Sequence, residues 1–190
     1  MNTVRIIGGE WRRRLLRFPD SEGLRPTPDR VRETLFNWLG QDLSGMCCLD
    51  LFAGSGALGF EAVSRGAAQA VLVEKSPRVL AALQENARLF GEDARLQIVR
   101  GDAVQYAAAT DRQFDLVFLD PPYHQGWIGK LAPRLGRLLK PDGALYVEAE
   151  SAMESPGAEM ADWRTVRHGK AGEVHFHLMR REIVECAKNV

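Results

Sequence analysis

The chain has 190 residues and a mass of 21.2 kDa, with 45% hydrophobic and 26% charged residues. This size and composition predict one globular domain, or one domain with a small appendage, and exclude disordered and collagen-like chains. No apolar run approaches the ~20 residues of a membrane helix, and the N-terminus lacks a signal peptide, so we expect a cytoplasmic protein without a membrane partner. The three cysteines contain no C-x-x-C pair, and we predict no metal site.

The charges are distributed unevenly although they sum to zero. Residues 1–32 contain eight arginines, no lysine and four acids, whereas the rest of the chain has an excess of acids. Because arginine binds phosphate with two hydrogen bonds and stacks on bases, such a segment is typical of a polyanion-binding arm. A solvated face of scattered arginines is the alternative. The candidate nucleic-acid-binding residues are Arg5, Arg12, Arg13, Arg14, Arg25, Arg30 and Arg32.

The first 40 residues predict a short hairpin followed by a helix. Two strands, Val4–Ile7 and Arg14–Phe18, are joined through a glycine pair, which is a hairpin signal. Thr27 and Pro28 indicate an N-cap and a first helical residue, and apolar residues on one helical face continue to Gly40. We therefore predict that residues 1–40 form a basic N-terminal extension.

From residue 41 to 182 the pattern alternates between strands and helices, and residues 183–190 are expected to form a tail. Nearly continuous apolar strands separated by helices indicate a doubly wound α/β sheet, and a final hairpin indicates an antiparallel edge. Pro141–Gly143 predicts a turn before the fifth strand. The predicted strands are Met46–Phe52, Ala70–Glu74, Arg95–Val99, Phe114–Leu119, Ala144–Glu148, Trp163–Arg167 and Val174–Arg180, and the helices are Ala57–Arg65, Pro77–Phe90, Ala103–Ala109 and Gly126–Leu139.

A glycine-rich motif follows the first strand of this body. Gly54, Gly56 and Gly59 match G-x-G-x-x-G, which allows a tight turn and a close approach of the backbone to a ligand. Glu74 ends the next strand, where its carboxylate can accept hydrogen bonds from both hydroxyls of a ribose. Alone, this weakly specific motif is typical of a nicotinamide or flavin nucleotide site.

An aspartate in the first strand favours a different cofactor. Asp50 would repel a pyrophosphate but attract the ammonium and sulfonium groups of S-adenosylmethionine. Asp102 follows the third strand and can accept a hydrogen bond from an adenine amino group, so that, with Glu74, three acids end three neighbouring strands. The alternative is that each acid caps the helix that follows. The candidate cofactor-binding residues are Asp50, Phe52, Gly54, Ser55, Gly56, Glu74, Asp102 and Ala103.

A second motif, Asp120-Pro121-Pro122-Tyr123, directly follows the fourth strand. The prolines remove two backbone donors and stiffen the loop, which presents the Asp120 carboxylate and the Pro121 carbonyl as acceptors. These can bind both hydrogens of an exocyclic amino group while Tyr123 stacks on the base, so that the nitrogen lone pair can face a methyl donor. We predict that these four residues form the catalytic loop; a plain turn with a stacked tyrosine is the alternative.

Together the motifs resemble those of class I S-adenosylmethionine-dependent methyltransferases that act on exocyclic amines of nucleobases. The N-terminal segment is more specific. R-I-I-G-G-x-W-R from Arg5 and L-R-P-T-P-D-R-V-R-E-T-L-F-N-W-L from Leu24 are similar to the bacterial D-type family, which methylates a guanine amino group in small-subunit ribosomal RNA. The resemblance extends over nearly all of residues 4–181. It implies a Rossmann-like seven-stranded sheet whose last strand is antiparallel, a monomer, and S-adenosylhomocysteine as a product.

The resulting hypothesis is a methyltransferase acting on the 2-amino group of a guanine in 16S ribosomal RNA, with the RNA or the assembling small subunit as partner. Positioning and electrostatics should supply most of the rate of a direct in-line transfer. The alternatives are a DNA or RNA adenine N6-methyltransferase with the same catalytic loop, a nicotinamide-dependent oxidoreductase and a cofactor-free RNA-binding module. For Trp11, packing of the hairpin on the body is favoured over stacking on RNA.

Overall fold

The computed structural model describes residues 1–21, 24–153 and 160–182. The predicted tail at 183–190 lies outside these residues. None of the described helices combines the length and hydrophobicity that crossing a bilayer requires. The elements in chain order are β1 (Asn2–Arg5), β2 (Leu15–Phe18), α1 (Asp29–Trp38), β3 (Cys47–Asp50), α2 (Ala57–Ser64), β4 (Gln69–Glu74), α3 (Pro77–Leu89), β5 (Leu96–Arg100), α4 (Ala103–Ala109), β6 (Phe114–Leu119), α5 (Trp127–Leu138), β7 (Leu139–Ala149), β8 (Trp163–Ala171) and β9 (Val174–Arg181).

Seven strands form one twisted sheet in the order β5-β4-β3-β6-β7-β9-β8. The first five strands in this order are parallel, and β9 is antiparallel to both of its neighbours. The doubly wound sheet with an antiparallel last strand is therefore confirmed. The antiparallel strand is not at the edge, however, because β9 inserts between β7 and β8. Phe176, Leu178 and Met179 of β9 are buried, whereas most of β8 is exposed or half-buried, which suits an edge position.

Helices cover both faces of the sheet, and the two faces have separate cores. On one face, Leu35 and Phe36 of α1, Phe60 of α2 and Leu83 of α3 are buried in a cluster. On the other face, α4 and α5 contribute apolar residues to a second cluster that includes Leu131. Because side chains alternate along a strand, Cys48 faces the first cluster and its neighbour Leu49 the second.

The N-terminal hairpin is shorter than predicted, because the chain between Ile6 and Arg14 forms a turn-rich loop rather than extended strands. The loop follows the surface of α2: the Glu61 carboxylate accepts hydrogen bonds from the backbone N–H groups of Ile7 (2.8 Å) and Gly8 (2.7 Å). Gly9 has φ +74°, and a Cβ there would lie 1.7 Å from the carbonyl oxygen of Ser64. This close approach fixes the loop against the helix.

The hairpin and the sheet share one core. Trp11 is 7% exposed, and its ring packs edge-on against Phe90 at 5.0 Å and against Phe60 at 6.1 Å between centroids. The packing role predicted for Trp11 is therefore confirmed. The predicted division of the chain at residue 40 stays a prediction.

Two local predictions, one within a strand and one at the start of a helix, are corrected. Pro141–Gly143 lies within β7 rather than before it, and forms an irregularity in the pairing with β6 between Phe114 and Leu116. Pro28, not Thr27, is the N-cap of α1, and the cap carries no side-chain hydrogen bond. The Thr27 side chain instead contacts the sheet edge, as described below.

Candidate active site

The loop after β3 has the tight backbone that the glycine motif predicts. Gly54 and Gly56 have φ +50° and +82°, in the left-handed region that favours glycine. Gly56 is the N-cap of α2, and a Cβ on it would lie 2.7 Å from a Leu83 methyl carbon. The Gly54 backbone passes under Leu24 of the N-terminal segment, so that segment covers the loop. These close contacts with α3 and with the N-terminal segment explain why both positions are occupied by glycine, which has no side chain.

The acids at the ends of β4 and β5 accept hydrogen bonds from nearby backbone groups. Glu74 accepts from Gly54 N–H (3.1 Å) and from Ser76 N–H (2.7 Å). Asp102 is the N-cap of α4, accepts from Val104 N–H (2.9 Å) and pairs with Lys75 (3.3 Å). Although its partial burial acts in the opposite direction, backbone hydrogen bonds and Lys75 hold the pKa of Asp102 below its ordinary value.

Asp50, at the end of β3, has a different environment. Asp50 is 2% exposed, and the partners of its carboxyl group in the described part of the chain are backbone groups, Phe52 N–H at 3.3 Å and Gly59 N–H. Within the described part of the chain, no basic side chain forms an ion pair with it. Burial, with Glu74 and Glu148 nearby, raises the pKa of Asp50 to about 7. A cation arriving at this point would therefore find a buried carboxyl group without a counterion.

The remaining predicted cofactor residues surround the same loop. Phe52 is half-buried and packs edge-on against Trp127 at 5.3 Å between centroids. Ser55 is buried, with its hydroxyl accepting from Ala57 N–H at 3.3 Å, and Ala103 begins α4 within the second core. The structure thus brings the predicted cofactor residues to one edge of the sheet, at the ends of β3, β4 and β5.

Asp120 directly follows β6, which pairs with β3, as the catalytic prediction requires. One of its oxygens accepts a hydrogen bond from the Thr27 hydroxyl at 3.3 Å. Burial, followed by the charges of Glu148 and Asp50, raises the pKa of Asp120 well above its ordinary value, and Thr27 opposes this shift. Pro121 is buried, whereas Pro122 is exposed and Tyr123 is 37% exposed. The loop therefore presents a rigid, partly open surface.

Tyr123 stands among charged groups at this opening. Burial raises the pKa of its hydroxyl, as do the carboxylates of Glu148 and Asp120, and Arg25 acts in the opposite direction. Arg25 is thus the candidate arginine whose charge reaches the catalytic loop.

Two polar residues of this edge, Glu148 and Thr27, are missed by the sequence analysis. Glu148 follows Val147, which pairs with Leu119, so that Glu148 and Asp120 are neighbours on adjacent strands. Glu148 is 3% exposed and accepts a hydrogen bond from the buried Tyr146 hydroxyl at 2.9 Å. An acid at the end of an apolar strand is the signal that could have identified it. Thr27 carries no such signal, because its sequence context is that of a helix cap.

The candidate RNA-binding arginines divide into exposed and buried residues. Arg5, Arg12, Arg13, Arg25 and Arg30 are exposed. Arg12 and Arg14 do not share one face of a strand, since this segment is a turn in which Arg13 has φ +73°. Arg14 is exposed, but its guanidinium donates to the Leu89 carbonyl and lies 3.7 Å from the centre of the Phe90 ring.

Arg32 is not available to RNA, which corrects the prediction. It is 0% exposed and forms a buried ion pair with Glu61 at 3.1 Å. Its other nitrogens donate to the carbonyl oxygens of Thr27 (3.1 Å) and Arg5 (2.8 Å) and to Asp29. A buried charge needs such partners, so Arg32 holds the hairpin, α1 and α2 together.

This combination of a parallel-strand core, a single antiparallel strand next to the edge and a glycine loop between β3 and α2 is the class I methyltransferase fold. Comparison with solved structures agrees. A methyltransferase structure from Escherichia coli superposes with a TM-score of 0.83 at 40% identity, covering 95% of this chain and 99% of that one. A methylase from Haemophilus influenzae gives a TM-score of 0.76 at 34% identity, covering 95% and 99% of the two chains.

The family model described as Conserved hypothetical protein 95 matches residues 4–180, and the chain belongs to this family. A similar protein, "Ribosomal RNA small subunit methyltransferase D" of Escherichia coli, is 44% identical over 182 residues, which are 94% of this chain and 90% of that protein. The protein of the same name from Haemophilus influenzae is 39% identical, with 92% of each chain covered. These matches confirm the resemblance to the D-type family.

Proposed function

We propose that this protein transfers a methyl group from S-adenosylmethionine to the 2-amino group of a guanine in 16S ribosomal RNA. The observation that carries the proposal is the position of Asp120, a raised-pKa carboxyl group one strand away from Asp50 at the same sheet edge. One acid can hold the acceptor amine while the other faces the cationic methyl donor. The names of the relatives support ribosomal RNA as the substrate.

The residues around the glycine loop fit S-adenosylmethionine better than a dinucleotide. Asp50 is buried without a cationic partner in the described structure, which suits an ammonium or sulfonium group and would oppose a pyrophosphate. Glu74 would bind the ribose hydroxyls and Asp102 the adenine amino group. The bound cofactor supplies the methyl group, and S-adenosylhomocysteine is the product that leaves.

The catalytic loop would position the acceptor. Asp120 and the Pro121 carbonyl accept hydrogen bonds from the two amine hydrogens, and the exposed ring of Tyr123 stacks on the guanine. The methyl carbon–sulfur bond breaks as the nitrogen–carbon bond forms. The methylated nitrogen then loses a proton to Asp120 or to water. The target base must leave its stack to reach this edge.

The exposed arginines of the N-terminal segment would bind the RNA backbone. Arg5, Arg12, Arg13 and Arg30 are exposed, and Arg25 lies near the catalytic loop. The loop that carries Arg12 and Arg13 is fixed to α2, so these residues form a preorganised surface. Arg14 can contribute only if RNA displaces its contacts with α3 and Phe90.

Tritiated methyl transfer tests the proposal directly. Unmethylated 16S ribosomal RNA and small subunits are incubated with the protein and labelled S-adenosylmethionine, and the product is digested to nucleosides. We expect 2-methylguanosine. N6-methyladenosine would support the adenine alternative, and no incorporation into either substrate would refute ribosomal RNA methylation.

Calorimetry tests the cofactor separately. We expect S-adenosylhomocysteine to bind and NAD to give no heat. Binding of NAD without binding of S-adenosylhomocysteine would favour the oxidoreductase alternative and overturn the cofactor assignment.

A further inference from the structure

Glu148 has no role in the proposed transfer, although it is buried beside the catalytic loop. Cys48, Phe118 and Tyr146 face the same core, so two residues further along each strand Asp50, Asp120 and Glu148 point to one face of the sheet. Adjacent strands lie about 4.8 Å apart, which places the Glu148 backbone one strand spacing from that of Asp120. A base held by Asp120 therefore lies within reach of Glu148.

The hydrogen bonds inside the protein leave part of this carboxyl group free. The Tyr146 hydroxyl donates to Oε1 of Glu148 at 2.9 Å. The Thr27 hydroxyl lies close to the Glu148 carboxylate, but its single hydrogen is also directed to Asp120 at 3.3 Å. A carboxylate has about four acceptor sites, so these two hydroxyls leave acceptor capacity unused. An acceptor oxygen is thus available next to the position of the substrate amine.

The chemistry of guanine determines which atom can face this oxygen. The 2-amino group of guanine is flanked by N1–H, a donor, and by N3, an acceptor next to the sugar. A carboxylate accepts hydrogen bonds, so it attracts N1–H and repels N3. With N1–H toward Glu148, the sugar side of the base points away from it, toward the opening through which the nucleotide must enter.

Adenine and cytosine differ from guanine at this atom. The ring nitrogen beside the amino group is an acceptor without a hydrogen in both bases. If either base faced Glu148, its ring nitrogen and the Glu148 oxygen would both be acceptors and could not form a hydrogen bond. Leaving such polar groups buried and unpaired is costly. A catalytic loop shared by several amino methyltransferases does not make this distinction, whereas an adjacent carboxylate does.

We infer that Glu148 is the specificity-determining residue of this site and selects guanine by accepting a hydrogen bond from N1–H. This inference rests on the proposed function. The buried Tyr146 hydroxyl donates a hydrogen bond to the carboxylate, so its orientation is set before the base arrives. Burial raises the pKa of Glu148, and the hydroxyls of Tyr146 and Thr27 oppose that shift. The substrate hydrogen and the sulfonium charge nearby would favour the ionised form further.

Two base analogues isolate the N1–H group. 2,6-Diaminopurine and 2-aminopurine keep the 2-amino group but have an N1 acceptor, and they differ from one another at C6. Once the modified position has been mapped, 16S ribosomal RNA is ligated from segments that carry guanine or either analogue there. We expect the parent protein to prefer guanine to both analogues by about 10- to 100-fold in kcat/KM.

The variant Glu148→Gln is nearly isosteric and can still accept the Tyr146 hydrogen bond. Its amide can donate to an N1 acceptor, so we expect the preference for guanine to fall to about 3-fold or less. The kcat/KM should rise for the two analogues and fall for guanine. Glu150→Gln, two residues further along, removes an exposed carboxylate that pairs with His124 and should leave the preference unchanged. Affinity for S-adenosylhomocysteine should stay within a few-fold in both variants.

The outcomes separate this inference from the function on which it rests. A purely structural Glu148 would lower kcat/KM on all three RNAs equally, and an unchanged preference in Glu148→Gln would overturn the inference. Equal use of guanine and both analogues by the parent protein would do the same. Failure of the parent protein to form 2-methylguanosine would instead refute the proposed function. Should Glu148→Gln not fold, Glu148→Asp, which keeps the charge but shortens its reach, should retain the preference at reduced kcat.

Discussion

Two groups of acids occupy the same sheet edge but differ in how the protein treats them. The outer acids, Glu74 and Asp102, follow β4 and β5 and accept backbone hydrogen bonds of 2.7–3.1 Å. The inner acids, Asp50, Asp120 and Glu148, lie on or directly after β3, β6 and β7, and the pKa of each is raised mainly by burial. The inner acids also accept hydrogen bonds, but among the described residues none of them has a basic partner.

The difference indicates where the free energy of ligand binding arises. An outer acid stabilises the fold and can add a ligand hydrogen bond at little cost. An inner acid destabilises the free protein when it is ionised, because its charge lacks a counterion and is removed from water, fully at Asp50 and Glu148 and in part at Asp120. A cation or a hydrogen-bond donor removes that cost, so the inner acids should control ligand charge and chemistry. Neutralising an inner acid should therefore stabilise the free protein, and removing an outer acid should destabilise it.

The largest effect is expected for Asp120→Ala. Turnover should fall by a factor on the order of 10² or more, or about 2.7 kcal/mol of transition-state stabilisation, because the acceptor amine loses its main partner. Affinity for S-adenosylhomocysteine, measured by calorimetry, should stay within a few-fold. Asp111→Asn, at an exposed position before β6, serves as the control. Near-normal turnover in Asp120→Ala would contradict the amine-binding role.

The second effect concerns Asp50→Asn. With a pKa of about 7, Asp50 keeps its proton in the folded protein between about pH 4 and pH 7, where the unfolded chain has lost it. Folding stability should thus fall as pH rises through this window and stay low above it. Asp50→Asn should make this fall smaller and stabilise the free protein by about 1–3 kcal/mol at pH 8.

Urea unfolding at pH 5 and pH 8 measures this effect. The same variant should bind S-adenosylhomocysteine, which keeps the ammonium group, more weakly, and S-adenosylmethionine more weakly still. An equal loss for both ligands would assign Asp50 to the ammonium alone. If Asp50→Asn were less stable than the parent at pH 8, the ionised Asp50 would not destabilise the free protein, and its place among the inner acids would be wrong.

The third prediction is that Asp102→Ala lowers folding stability, whereas Asp50→Asn raises it. Asp102→Ala removes the N-cap of α4 and should lower the free energy of unfolding by about 1 kcal/mol. Asp102→Asn keeps a capping oxygen and should restore most of that stability. Thermal unfolding of the two variants beside Asp50→Asn compares an outer with an inner acid directly. Stabilisation by Asp102→Ala would remove the distinction between the two groups.

The smallest effect is expected for arginines that lie away from both groups of acids. Replacing Arg12 and Arg13 with Ala should weaken RNA binding and reduce the slope of log affinity on log salt by about 0.7–0.9 for each phosphate that an arginine no longer neutralises. Binding of S-adenosylhomocysteine should not change. The control replaces Arg164 and Arg167, which are exposed on the far edge strand β8. Equal slopes for both double variants would assign Arg12 and Arg13 to the solvated surface.

The layered sheet and the two motif loops could be predicted from the amino-acid sequence alone. Strand periodicity, helix lengths and glycine positions are local properties, and parallel strands necessarily bring their carboxyl ends to one edge. Asp50, Glu74, Asp102 and Asp120 could therefore be assigned to that edge from their places at strand ends. The exposed arginines of the N-terminal loop likewise follow from their number in a short segment.

Which polar groups are buried, and which partners they have, could not be predicted from the sequence and depends on the packing of distant segments. Arg32 resembles its exposed neighbour Arg30 in sequence, yet it pairs with Glu61, 29 residues away, because α1 and α2 contribute to one core on the same face of the sheet. Thr27 acts on Asp120, 93 residues away, rather than on its own helix. Glu148 becomes part of the site because β7 pairs with β6 in one register. Burial and long-range pairing depend on packing between distant segments, which no local pattern specifies.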